Sequence, residues 1–185
     1  MSNIEEQADI TATRLVEELT GLRYTLALAE SCTAGLVSCL IARVSGASRA
    51  LWGSFVCYTP EAKKRMLHIE GAFLEKHGLV SAETAGEMAL RAMDLSGADI
   101  SASVTGLAGP LGDGNAARPQ TPIGTVFIAI ARKYNGEAVV NVKSFFFRGA
   151  RNEIRMQAAL VVIEQILEEI GSRKQGQTKT PLSIK

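Results

Sequence analysis

The sequence predicts an α/β fold, a single domain in which one mixed β-sheet is sandwiched by helices. Three observations carry that expectation. Short apolar runs of strand length alternate with segments whose apolar residues recur at three- and four-residue steps. Two of the later runs are joined by Asn135-Gly136, a hairpin turn signal and hence a sign of antiparallel pairing. A chain of 185 residues, 46% of them hydrophobic, fits one domain and can bury a core without cross-links.

The elements follow in order. The segment up to Thr20 reads as an amphipathic helix with Leu15, Val16 and Leu19 on its inner face, ended by Gly21. "YTLALAE" (24–30) is a buried strand. Residues 33–44, with Leu36, Val37, Leu40, Ile41 and Val44, have helical spacing. "LWGSFVCY" (51–58) is the next strand. Thr59 then caps a helix with Pro60 at its first position, where the missing N–H does no harm. A short helix near 73–77 stops at Gly78, and Ser81 caps a longer one. "ADISASVT" (98–105) is a strand running into a glycine- and proline-rich loop up to Pro122. A loop of that length after a central strand points to function, because ligands sit beyond the carboxyl ends of strands in such folds. Two hairpin strands follow, then a helix from Arg151 to Ile170. Residues 1–170 thus read as one domain and 171–185 as a mobile polar tail.

Composition removes several function classes. Lys+Arg 20 against Asp+Glu 19 gives a net charge of +1, which offers no basic field for nucleic acid. The first ten residues are polar, without the apolar core of a signal peptide, and no apolar run approaches the roughly 20 residues that cross a bilayer. A soluble, cytoplasmic protein without nucleic-acid or membrane partners is expected. The three cysteines lack CxxC spacing, and Cys32 and Cys39, seven apart, read as small core residues sharing a helix face. His68 and His77 form no ligand-spaced cluster, so neither a metal nor another cofactor is implied.

Chemistry concentrates at "AESCTAG" (29–35), where a strand gives way to a helix. Ser31 is there either as a helix cap or as a nucleophile, and Thr33 competes for the cap. Neither a GxxxxGK[ST] phosphate loop nor a GxSxG elbow is present. A serine nucleophile needs a base, and a lysine with a lowered pKa can serve. Lys63 lies in the first turn of the helix opened by Thr59-Pro60, where the positive potential of free amides would disfavour its ammonium form. Lys64 reads as its solvated neighbour, and Tyr58 stands at the end of the preceding strand. Spacing alone leaves a charged helix face as the other reading.

The chain resembles the CinA C-terminal domain family, the nicotinamide-nucleotide amidohydrolases. The resemblance rests on "AESCTAG" (29–35), "YTPEAK" (58–63), "HGLVSAETA" (77–85), "TGLAGP" (105–110), "PIGTV" (122–126) and "RGARNEIRMQAAL" (148–160), in family order. It implies hydrolysis of the carboxamide of nicotinamide mononucleotide, with Ser31 as nucleophile, Lys63 as base and Tyr58 beside them. It implies a substrate pocket made by Glu30, Thr33, Thr105, Gly106, Gly109 and Arg151, the arginine suiting a phosphate. Arg148 and Arg155 stand nearby as possible helpers, and Glu30 would pin Lys63 or a loop amide. Amides at the start of the 33–44 helix would hold the oxyanion. Self-association into a homo-oligomer is a further implication.

The chain departs from the family pattern at four places. Thr59-Pro60 replaces Ser-Asn, Ala34 replaces a glycine, and Ala150 replaces the aspartate of a GDR block. The 111–122 loop is longer, with Thr121 where a lysine is usual and Arg118 as its candidate substitute. The other function class weighed is a non-catalytic nucleotide-binding adaptor linked to competence or DNA-damage responses, which an altered pocket would favour.

Overall fold

The computed structural model describes residues 2–109, 121–134 and 136–174. The elements in chain order are α1 (Ser2–Leu22), β1 (Leu26–Glu30), α2 (Leu36–Ala42), β2 (Leu51–Val56), α3 (Pro60–Leu67), α4 (Gly71–His77), α5 (Ala82–Ser96), β3 (Ile100–Gly106), β4 (Thr125–Tyr134), β5 (Glu137–Phe146) and α6 (Arg151–Lys174). They form a mixed sheet of order β2-β1-β3-β4-β5 between two layers of helices, the α/β sandwich expected. β1 runs parallel to β2 and β3, whereas β3–β4 and β4–β5 are antiparallel.

Alternation along the strands builds the two layers. Leu26 and Leu28 of β1 join Ile100, Ala102 and Val104 of β3 in a core shared with α1, α2 and α6. Ala29 faces the other way, with Cys57, Leu67, Met88 and Ala92, under α3, α4 and α5. On that side the small residues Ala85 and Ala89 meet Ala129 and Ala131. The buried hydroxyls of Ser101 and Ser103 donate to the carbonyls of Ala89 and Ala85, which holds α5 close to β3.

These faces determine where a site can form. The chain leaves β1 through α2 into one layer and leaves the neighbouring β2 through α3, α4 and α5 into the other. Adjacent parallel strands whose connections diverge in this way open a crevice at their carboxyl ends. Residue 31 lies on one lip of that crevice, and residues 57–63 form the other.

Local chemistry explains several element ends. Thr59 Oγ1 accepts the Ala62 amide and Ser81 Oγ that of Thr84, the two caps expected. Gly78 closes α4. The register pairs Tyr134 with Glu137, leaving a two-residue turn in which Gly136 has φ 87; Asn135 lies outside the described residues. Three details differ from expectation. Gly21 lies inside α1, and Arg23 (φ 57) ends it in a Schellman turn, with Tyr24 N donating to Leu19 O and Arg23 N to Thr20 O. The second helix starts at Leu36 rather than at 33. The last continues beyond 170 to Lys174, and the expected mobile tail beyond it lies outside the described residues. Among the described residues no helix is long and apolar enough to cross a membrane.

Candidate active site

Ser31 follows β1 directly, and its amide donates to Val104 O of β3, so the end of the central parallel strand holds it in place. Lys63 comes from α3, on the face it shares with Leu67 four residues on, and that face turns into the core. The lysine side chain is only 2% exposed. Its Nζ lies 2.9 Å from Ser31 Oγ and 2.9 Å from the carbonyl oxygen of Cys57. Lys64, the next residue, is solvent-facing and pairs with Glu61. The sequence placed Lys63 and Ser31 together, and the two are in hydrogen-bond contact.

Burial lowers the pKa of Lys63 from 10.5 to about 8, the nearby thiols of Cys57 and Cys32 opposing it. Desolvation, rather than the positive end of the helix that the sequence suggests, is the cause. No carboxylate contacts Lys63 among the described residues, so nothing of that kind restores its charge. The same burial pushes the Cys32 thiol up to about 12 and the Cys57 thiol to about 11, which leaves both as inert thiols. Cys39, expected to share a buried face with Cys32, is exposed, because α2 begins only after Cys32.

Glu30, read as pinning Lys63 or a loop amide, pins amides, but those at the start of α2, and Lys63 bonds elsewhere. Glu30 is 1% exposed, and its two carboxylate oxygens accept four hydrogen bonds from within the protein. Oε2 takes Thr33 Oγ1 and the Val37 amide at 2.9 and 3.0 Å; Oε1 takes the Ser38 amide and Ser54 Oγ at 2.9 and 3.0 Å. Glu30 therefore caps α2 from seven residues upstream, and Thr33 serves that cap rather than making one of its own.

The amides expected to receive an oxyanion are correspondingly reassigned. Those of Val37 and Ser38 go to Glu30, that of Leu36 to Thr33 O, and that of Ala34 to Ser31 O. The amides of Thr33, a wholly buried residue, and of Gly35 meet no acceptor among the described residues. A buried donor left open is rare unless a ligand or water fills it.

The turn 31–35 contains two successive left-handed residues, Ala34 (φ 51) and Gly35 (φ 88). A Cβ in that region costs about 1–2 kcal/mol, and Ala34 is where the family pattern has glycine. Ala34→Gly is therefore expected to stabilise the protein by up to about 1 kcal/mol after the added freedom of the unfolded chain is counted. Urea unfolding checks this, and a loss of stability would show that Ala34 is unstrained.

Of the remaining residues, Tyr58, Gly109, Arg151 and Arg155 meet at the start of α6, and Thr105 and Gly106 do not. Tyr58, half exposed, accepts a hydrogen bond from Arg151 Nη2, so it is joined to the arginine rather than to Ser31 or Lys63. Arg151 also lies against Gly109, where an added Cβ would stand 3.0 Å from Nη1. A Cβ on Gly106 would stand 2.7 Å from Thr125 O, so glycine there lets the strands cross closely. Thr105 is buried, and its hydroxyl donates to Leu79 O. Ala150, lacking the family's carboxylate, has its amide bonded by Glu153, half of a capping box. Arg155 reaches the turn itself, Nη2 donating to Thr33 O at 2.7 Å. Arg118 and the long loop from 110 to 120 lie outside the described residues. Among those described, no group of three or more His, Cys, Asp or Glu is placed to hold a metal ion.

Comparison with known proteins agrees with this architecture. A CinA-like protein of Geobacter metallireducens is 42% identical over 159 residues, which is 86% of this chain and 36% of that protein. One from Thermotoga maritima is 36% identical over 170 residues, 92% of this chain and 39% of that protein. The chain thus spans little more than a third of the length of the curated relatives it matches. Among solved structures, the competence/damage inducible protein CihA of Agrobacterium tumefaciens matches with a TM-score of 0.78 at 31% identity, over 88% of this chain and 94% of that one. A competence-damaged protein (CinA) superfamily protein of Escherichia coli matches with a TM-score of 0.80 at 26% identity, over 91% and 93%. The model of the CinA C-terminal domain covers residues 8–170, nearly the whole described chain, and on that match this chain belongs to the CinA C-terminal domain family.

Proposed function

We propose that the chain is an amidohydrolase that deamidates nicotinamide mononucleotide to nicotinic acid mononucleotide and ammonia through a Ser31 acyl-enzyme. The observation that carries this reading is the 2.9 Å contact between Ser31 Oγ and a buried Lys63 Nζ. When Lys63 is neutral, one N–H stays on the Cys57 carbonyl, and the nitrogen lone pair is free for the serine proton. Ser31 Oγ attacks the carboxamide carbon as its proton passes to Nζ. The carbonyl oxygen becomes an oxyanion, and the open amides of Thr33 and Gly35, in the same turn as the nucleophile, are its donors. Lys63 then gives the proton to departing ammonia. Water, deprotonated by the same amine, cleaves the ester and restores Ser31.

The phosphate of this substrate calls for a cation, and Arg151 beside Gly109 offers one on an exposed helix start. Tyr58 accepts a hydrogen bond from that guanidinium, so its task in this reading is to orient Arg151.

The test is ammonia release from nicotinamide mononucleotide by the purified chain and by Ser31→Ala and Lys63→Ala. Both variants should lose activity by at least about a thousandfold, the scale on which a nucleophile or its base contributes. Turnover retained in Ser31→Ala would remove the serine mechanism. Binding of the nucleotide without turnover by the unaltered chain would favour the adaptor reading instead.

A further inference from the structure

We infer that Arg155 is a positioning residue for the nucleophile, its guanidinium gripping the Thr33 carbonyl and so setting the turn that presents Ser31 to Lys63. The inference rests on the reading of Ser31 as nucleophile. Arg155 comes from the first turns of α6, 122 residues from the carbonyl it holds. Its Nη2 donates to Thr33 O at 2.7 Å and its Nη1 to Asn152 Oδ1 at 3.1 Å. Both terminal nitrogens are thus occupied by protein acceptors. That separates it from Arg151, which lies one helical turn earlier and is exposed.

The turn needs such a grip. Ala34 and Gly35 are both left-handed, and backbone of this kind persists only when its surroundings over-determine it. Glu30 fixes the turn through the Thr33 hydroxyl and the amides that follow it. Those contacts do not reach the peptide plane between Thr33 and Ala34, which within the turn has only the Leu36 amide on its carbonyl, at 3.2 Å, and the Ala34 amide on Ser31 O. That plane carries the Thr33 carbonyl on one side and, on the other, the Ala34 amide that donates to Ser31 O. The charge-assisted bond from Arg155, at 2.7 Å the shorter of the two on that carbonyl, ties the plane to α6, which opposes its rotation and keeps the direction of Ser31. Lysine would offer a single point charge there, without the planar fork that bonds Thr33 and Asn152 together.

The test uses the full chain with Arg155→Ala and Arg155→Lys. Three quantities are read: labelling of Ser31 by a fluorophosphonate probe, kcat and KM for nicotinamide mononucleotide, and thermal stability. Displacement of a nucleophile by a fraction of an ångström to an ångström costs about 10- to 100-fold. Labelling and kcat should fall by that factor in Arg155→Ala, and KM should stay within about twofold of its starting value. Added methylguanidinium should restore part of the labelling in Arg155→Ala and none in the unaltered chain. If the alanine variant does not fold, Arg155→Lys is read in the same way.

Unchanged labelling and kcat would overturn the inference. So would a rise in KM alone, which would make Arg155 a substrate contact. An unaltered chain that labels at Ser31 but leaves the nucleotide intact would remove the proposed substrate, and the labelling comparison would still decide the role of Arg155. A chain that does not label at Ser31 would remove both.

Discussion

Lys63→Met is expected to lower turnover by at least about a thousandfold and, in the same protein, to raise stability at neutral pH. The two effects have one cause. Lys63 is 2% exposed, and burial has lowered its pKa from 10.5 to about 8. Below pH 8 the amine is protonated in both folded and unfolded chains, so the folded state bears the full cost of a buried ammonium. Between about 8 and 10.5 the unfolded chain still holds a proton that the folded chain has released, so stability rises with pH through that window. The shift corresponds to roughly 3 kcal/mol. Methionine has a similar reach and no charge, so the cost disappears. The lost hydrogen bonds to Ser31 and Cys57 offset about 1 kcal/mol each. A net gain of about 1 kcal/mol is expected at pH 6.5 by urea unfolding, turning to a loss near pH 10. An effect of the same size at both pH values would show that Lys63 is not desolvated in this way. On the proposed mechanism the unaltered chain has a matching kinetic signature: kcat/KM should rise tenfold per pH unit up to about 8 and then level off.

Much of this arrangement was legible because its causes are local. The Thr59 and Ser81 caps, the Pro60 helix start and the two-residue hairpin each follow from a few neighbouring residues, and all occur as read. Lys63 was legible only in part. Its place in the first turn after Thr59-Pro60 marked it, but spacing alone left a charged helix face as the other reading. It is the fold that turns Lys63 and Leu67 inward while Lys64 faces solvent beside Glu61. The late start of α2 was not legible. A reader of the sequence looks for a cap immediately before the apolar spacing and finds Ser31 and Thr33. The cap is a glutamate seven residues before Val37, brought round by two left-handed residues, one of them an alanine. Arg155 was legible as a helper at the pocket but not as a partner of the turn, because its acceptor is a main-chain carbonyl 122 residues away. The partner of Tyr58 was hidden for the same reason: pairing between separate elements leaves no spacing to read.

Glu30→Ala is expected to destabilise the protein by about 3–5 kcal/mol, the largest stability loss proposed for this site. The figure follows from what the side chain satisfies. Removing the carboxylate strands the amides of Val37 and Ser38 at the buried start of α2, at about 1–3 kcal/mol for each unsatisfied donor. The hydroxyls of Thr33 and Ser54 can rotate to other acceptors and contribute less. Glu30→Gln separates this account from one based on charge alone. The amide keeps one acceptor oxygen but must turn its NH2 toward either Val37 N–H or Ser38 N–H, so donor faces donor. That conflict should cost about 1–3 kcal/mol, clearly less than alanine. Both variants should also lower kcat, because Glu30 holds the turn that carries Ser31 at the same time as it caps the helix. Chemical denaturation of the two variants beside the unaltered chain makes the measurement. If both keep full stability and only KM rises, Glu30 acts on the substrate rather than on α2, and the turn holding Ser31 has some other support.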